Sequence, residues 1–129
     1  MKSRVLCISV HRDDARKLSQ MLHALPVALE HARTLKQARA RLVSTDYDVI
    51  LTESAFQGGT WLDVLHLVRE SPRDVRVIVT DPQADARFWA EALNLGAYDL
   101  LAQPFEEDEV RRIMQNACTR VASAGSILY

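Results

Sequence analysis

The chain reads as an α/β protein built on a parallel sheet, and three observations predict it. Residues 49–52 (Val-Ile-Leu-Thr) form an uninterrupted apolar or β-branched run, and residues 4–10 and 75–80 are similar in kind. Such runs suit strands buried on both faces. Between them lie stretches whose apolar residues recur near the 3.6-residue period of a helix. The two kinds alternate through the chain, giving five strands and five helices. That alternation calls for parallel strands joined by right-handed crossovers.

Taken in order, residues 4–10 (RVLCISV) are the first strand. Asp13 or Asp14 can cap the helix that follows, whose stripe is Ala15, Leu18, Met21, Leu22 and Leu25, and Pro26 stops it. Residues 27–31 are short and mixed, as an edge strand would be. Thr34 caps a second helix with Leu35, Ala38 and Leu42 on one face. Residues 49–53 are the central strand, ending in Glu53, and a polar, glycine-containing loop follows. Thr60 and Asp63 make a Thr-x-x-Asp capping pattern for a helix with Trp61, Leu62, Leu65 and Val68 inside. Residues 75–80 are the fourth strand, and Asp81-Pro82 turns the chain into a helix that Gly96 ends. Within it Phe88, Ala92 and Leu95 face the core, while Trp89 and Leu93 fall beside that stripe. Residues 98–102 are the fifth strand. Acids at 106–109 suit the first turn of the last helix, which buries Val110, Ile113, Met114 and Ala117. The domain is expected to span residues 1–122, with 123–129 a tail or the start of a linker.

With 129 residues, 48% of them hydrophobic and 26% charged, the chain is one ordinary globular domain. Its formal net charge of -1 gives no global attraction to nucleic acid or anionic membrane. The Arg39/Arg41 and Arg111/Arg112 pairs lack interleaved aromatics and read as solvated helix faces. No apolar run approaches transmembrane length, and Met1-Lys2-Ser3 leads straight into a strand. Cys7 and Cys118 read as small hydrophobes of a reducing compartment, so the expected location is the cytoplasm. No cofactor or metal is expected. No G-x-G-x-x-G or Walker pattern follows any strand, and Gly58-Gly59 lacks the lysine and spacing of a phosphate loop, which argues against a nucleotide-binding enzyme.

Three stretches resemble the receiver domain of two-component response regulators. They are DVILTESAFQGGTWLDV (residues 48–64), LGAYDLLAQPF (95–105) and RVLCISVHRDDARKL (4–18). The resemblance implies a flavodoxin-like, three-layer (βα)5 fold with strand order 2-1-3-4-5. It also implies which positions carry chemistry. The family's phospho-accepting aspartate falls at Glu53, and its two magnesium-binding acids fall at Ser9 and Val10. Its phosphoryl-contacting lysine falls at Gln103, and its switch aromatic at Leu100. Counting from Val77 forwards and Gly96 backwards puts the Ser/Thr switch position at Asp81; Thr80 takes it if a one-residue gap is allowed. Gln103-Pro104 matches a family cis peptide.

Magnesium wants near-octahedral oxygen ligands, and one carboxylate of three remains, so metal-dependent phosphorylation is not expected. Glu53 then reads either as a built-in stand-in for the phosphorylated state or as an acid left behind when the chemistry was lost. Gln103 can hydrogen-bond Glu53, Asp13 or Asp14 can swing in for the lost acids, and Arg12 can neutralise Glu53. Asp81 reads as the start of a turn and helix cap; a metal shared with Glu53 and His11 has no recognised ligand spacing. With Asp81 facing Glu53 and Leu100 replacing the aromatic, the switch itself would be frozen. The expected function is a signalling module that works through a protein partner, a signalling protein or sensor kinase, or as a homodimer. Its face would carry Trp89, Leu93 and Leu100 on the fourth helix, fifth strand and fifth helix. A phosphorylatable receiver with unusual helpers and a small flavodoxin-like enzyme or nucleotide binder are the competing readings.

Overall fold

A computed structural model describes residues 2–119. In chain order its elements are β1 (Ser3–Ile8), α1 (Arg12–Met21), β2 (Val27–Ala32), α2 (Leu35–Ser44), β3 (Val49–Glu53), β4 (Ala55–Phe56), β5 (Gly59–Thr60), α3 (Trp61–Arg69), β6 (Arg76–Asp81), α4 (Ala86–Leu95), β7 (Asp99–Ala102) and α5 (Glu107–Cys118). The expected tail at 123–129 lies outside the described residues.

Five strands form one parallel sheet in the order β2-β1-β3-β6-β7. Numbered among themselves they run 2-1-3-4-5, the order the resemblance implies. β3 sits at the centre, and its Val49, Ile50, Leu51 and Thr52 are all buried, so the unbroken apolar run has the burial it needs on both faces. Val49 and Leu51 pack with α1 and α5, while Ile50 packs with α2, α3 and α4. Each buried aliphatic side chain of this kind contributes about 1.5–3 kcal/mol. Trp61 and Phe88 close the second layer, with ring centroids 5.9 Å apart.

Local signals set several boundaries. Thr34 accepts the Gln37 N–H as the cap of α2, and Thr60 with Asp63 forms a capping box on α3. Gly96 (φ 116°) ends α4: its N–H meets Leu93 O and the Ala97 N–H meets Ala92 O, the paired bonds of a Schellman motif. The Gln103-Pro104 peptide is cis, as expected.

Other expectations need correction. β1 stops at Ile8, because the Ser9 hydroxyl accepts the His11 N–H at 3.0 Å and starts a turn. α1 has His11 at its N-cap with no side-chain cap, Asp13 and Asp14 standing in the first turn, and it ends at Met21, well before Pro26. Asp85, not Asp81, caps α4, accepting from Phe88 N. Leu62 is 50% exposed, one position off the Trp61, Val64, Leu65 stripe. Leu95 is 38% exposed, because the turn at Gly96 gives the next core position to Ala97. The loop after β3 contains a short hairpin: Ala55 pairs with Thr60 and Phe56 with Gly59, around a turn whose Gly58 has φ 88°. This hairpin is tied to α2 by the Leu35 N–H to Gln57 O bond.

Candidate functional site

Side chains along a strand alternate between faces, so the register decides what surrounds Glu53. Glu53 lies two residues beyond Leu51 and shares its face, toward α1 and α5. Pairing of β3 with β6 sets Glu53 against Thr80, two beyond Ile78 on the same face. Ser9 follows β1, and Gln103 follows β7. Glu53, Ser9, Thr80 and Gln103 thus line one pocket with Cys7, Asp14 and Phe105 at the carboxyl edge of the sheet. The space between them is too narrow for a water molecule. Ligands of open α/β sheets bind at this edge. Here the edge is filled by the chain's own side chains.

The bonds inside the pocket are specific. Glu53 Oε1 accepts the Val10 N–H at 2.8 Å, so the carboxylate is tied to the loop where the resemblance places metal-binding acids. Ser9 is spent on its own turn with His11. Gln103 Nε2 donates to Asp14 Oδ2 at 3.2 Å, not to Glu53. Asp14 therefore does enter the pocket, where it pairs with Gln103. Cys7 faces the same space. Burial first, then the charges of Glu53 and Asp14, push its thiol up to about 12. Among the described residues no group of three His, Cys, Asp or Glu side chains is arranged to hold a metal ion. Of the three positions at which the resemblance places magnesium ligands, only Glu53 is a carboxylate, and its Oε1 already accepts the Val10 N–H; Asp14, the other carboxylate of the pocket, pairs with Gln103, so these residues do not fit the ion.

Two expected placements are overturned. Asp81 does not face Glu53. It is the next residue after Thr80 and turns to the opposite face, where its Oδ2 accepts from the Ser54 hydroxyl and its Oδ1 from Gln83 N at 2.7 Å. It is the last residue of β6, its carboxylate holding the turn that follows, and the hydroxyl beside Glu53 is that of Thr80, only 4% exposed. The two carboxylates therefore do not meet in one pocket, contrary to the frozen-switch expectation. Arg12 does not neutralise Glu53 either: it lines a separate surface pocket with His31 and Arg33.

The outer face of α4 is mixed. Trp89 is 48% exposed, and its Nε1 donates to Asp99 Oδ1 at 3.2 Å. Leu93 is half-buried beside it. Leu100, expected on the same surface, is buried in the core below α4, since β7 turns it toward Val79 and Phe88. Sequence reasoning gave Cys7 no place in this site and Asp14 only the role of a substitute acid. The alternation of residues 5, 7 and 9 along β1 was the available signal for Cys7.

Known proteins carry the same framework. A family model for the response regulator receiver domain matches residues 5–115. The response regulator protein PilR of Pseudomonas aeruginosa is 22% identical over 116 residues, covering 90% of this chain and 26% of PilR, so the chain spans about a quarter of that relative. The receiver domain of a putative LuxO repressor protein from Vibrio parahaemolyticus superposes with a TM-score of 0.88 at 17% identity, over 100% of this chain and 99% of that one. The beryllofluoride-activated NtrC4 receiver domain dimer superposes with a TM-score of 0.80 at 23% identity, over 88% of this chain and 94% of that one. With the family model spanning all five strands of the sheet, the chain belongs to the response regulator receiver domain family of two-component signalling.

Proposed function

We propose that this receiver domain takes up no phosphoryl group by the magnesium-dependent route and signals by binding protein. The observation that carries the reading is the 2.8 Å bond from Val10 N–H to Glu53 Oε1. The extra methylene of glutamate carries the carboxylate to the loop amide. It then occupies the place where an incoming phosphoryl group and its metal would need room. The Asp14–Gln103 pair fills the position of the family's lysine with a neutral amide. Glu53 acts here as a fixed acceptor that holds the β1–α1 loop closed.

The partner surface we assign is the outer face of α4, where half-exposed Trp89 stands beside Leu93. The occupant is a signalling protein or a second copy of this chain. The NtrC4 receiver, which forms a dimer in its beryllofluoride-activated state, supports the second. A phosphorylatable receiver stays as the alternative because Thr80 keeps a hydroxyl beside Glu53. Intact-mass spectrometry after incubation with acetyl phosphate and magnesium separates the two. The proposal expects an unchanged mass, and a phosphoryl adduct on Glu53 would sink it.

A further inference from the structure

A second pocket opens at the same edge of the sheet, on the β2 side of β1. It measures about 440 Å³ and is lined by Arg12, His31, Arg33, Gln37, Ala40 and Arg41. No carboxylate lines it. This concentration of positive charge is local, since the whole chain has 16 Lys and Arg against 17 Asp and Glu. The guanidinium groups of Arg12 and Arg33 have no hydrogen-bond or ion-pair partner among the described residues. Arg41 is held by Glu30 at 2.9 Å and is therefore partly neutralised. Gln37 is oriented: its Oε1 accepts the Arg33 N–H at 2.7 Å, which leaves its amide NH2 to donate. His31 Nε2 lies 2.8 Å from Ser9 O and, donating to that carbonyl, ties the pocket wall to the end of β1.

We infer that this pocket binds a phosphate group. Two unpaired guanidinium forks beside a fixed amide donor suit a tetrahedral dianion, since guanidinium pairs with phosphate through two parallel N–H···O bonds. The placement agrees, because open α/β sheets bind ligands outside the carboxyl ends of their strands. The volume falls within the range of small-molecule sites, about 300–1,000 Å³, and leaves room beyond a single phosphate ion. The pocket is open to solvent, so its affinity rests on charge and weakens with salt. The phosphate comes either as the free ion or as the head of a small organic phosphate. Binding is reversible and rests on charge and hydrogen bonds alone.

The test is a titration of the ¹⁵N-labelled whole chain at low ionic strength with inorganic phosphate and, separately, phenyl phosphate. Arginine Nε–H and glutamine side-chain signals are followed, with succinate as the dicarboxylate comparison. Saturating shifts at Arg12, Arg33 and Gln37 with a dissociation constant of about 1 mM or tighter are expected. Saturation by both phosphates assigns the phosphate group alone, and saturation by phenyl phosphate only assigns an organic phosphate. Arg33→Ala and Arg12→Ala, both at exposed positions, should each weaken binding about tenfold, and Lys17→Ala on the far side of α1 should leave it unchanged. Shifts that stay linear for both phosphates, that succinate reproduces with equal affinity, or that survive both arginine variants would overturn the assignment. So would saturation by a short DNA or RNA oligomer with neither phosphate binding.

Discussion

Glu53→Asp shortens the side chain by one methylene, about 1.5 Å, and so pulls the carboxylate out of reach of Val10 N–H, now 2.8 Å away. A net hydrogen bond to a charged group contributes about 1.5–3 kcal/mol. Val10 is half-buried, so its freed amide can find water, and the loss falls to about 1 kcal/mol. For a chain of 129 residues that lowers the melting temperature by about 4 °C. Glu53→Gln keeps the reach and loses only the charge. A neutral bond is about half as strong, but losing the charge also relieves the repulsion from Asp14 in the same pocket. The Gln variant should therefore lie within about 0.5 kcal/mol of the parent. The order parent, Gln, Asp in thermal or urea unfolding separates reach from charge. Mass spectra of the Asp variant with acetyl phosphate and magnesium should stay unchanged, since Ser9 and Val10 still supply no metal ligand. An Asp variant as stable as the parent would refute the role given to the Val10 bond, and a phosphoryl adduct on it would refute the closed pocket.

Three further outcomes are expected. Stability should fall below about pH 4.5 and again above about pH 9. Glu30 is lowered from 4.5, chiefly by the Tyr47 hydroxyl at 2.5 Å, so its contribution is present above 4.5 and lost as pH falls below it. Cys7 is raised from 9.0 to about 12 and Tyr47 from 10.0, both chiefly by burial, so above pH 9 the unfolded chain ionises first and stability drops. Urea unfolding across pH 3 to 11 checks this, and a stability that rises above pH 9 would contradict it. Iodoacetamide at pH 8 should modify half-buried Cys118 well before Cys7, with peptide mapping as the readout. Trp89→Glu should reduce concentration-dependent association in sedimentation runs, with a melting temperature within a few degrees of the parent; unchanged association would remove α4 from the proposed surface.

Much of the fold could be read directly because its signals are local. The unbroken run at 49–52 needs burial on two faces, Thr34 and the Thr60/Asp63 pair are caps, and Gly96 adopts a backbone that other residues resist. Leu62 and Leu95 were misplaced by one helical position each, where a stripe is narrow or a helix stops. The hairpin at 55–60 escaped notice because two-residue strands carry no periodicity, although Gly58-Gly59 marked its turn.

What could not be read is register. Thr80 and Asp81 are neighbours in the chain and face opposite layers, and a one-residue slip exchanges them. Counting from Val77 forwards and from Gly96 back through α4 both lead to Asp81, because neither count shows which residue of β6 lies opposite Glu53. The pairing of Glu53 with Thr80 does choose, and it changes the chemistry of the pocket from two facing carboxylates to a carboxylate and a hydroxyl. The same holds for the basic pocket: Arg12, Arg33 and Arg41 belong to three segments that meet only because β1 lies beside β2. The sheet order thus separates two edges of different character. Over β1, β3 and β6 the pocket is filled by the chain's own Glu53, Asp14 and Gln103. Over β1 and β2 it leaves unpaired cations facing solvent. If the first edge no longer receives a phosphoryl group covalently, charge-dependent binding at the second is the route by which this domain can still respond to phosphate.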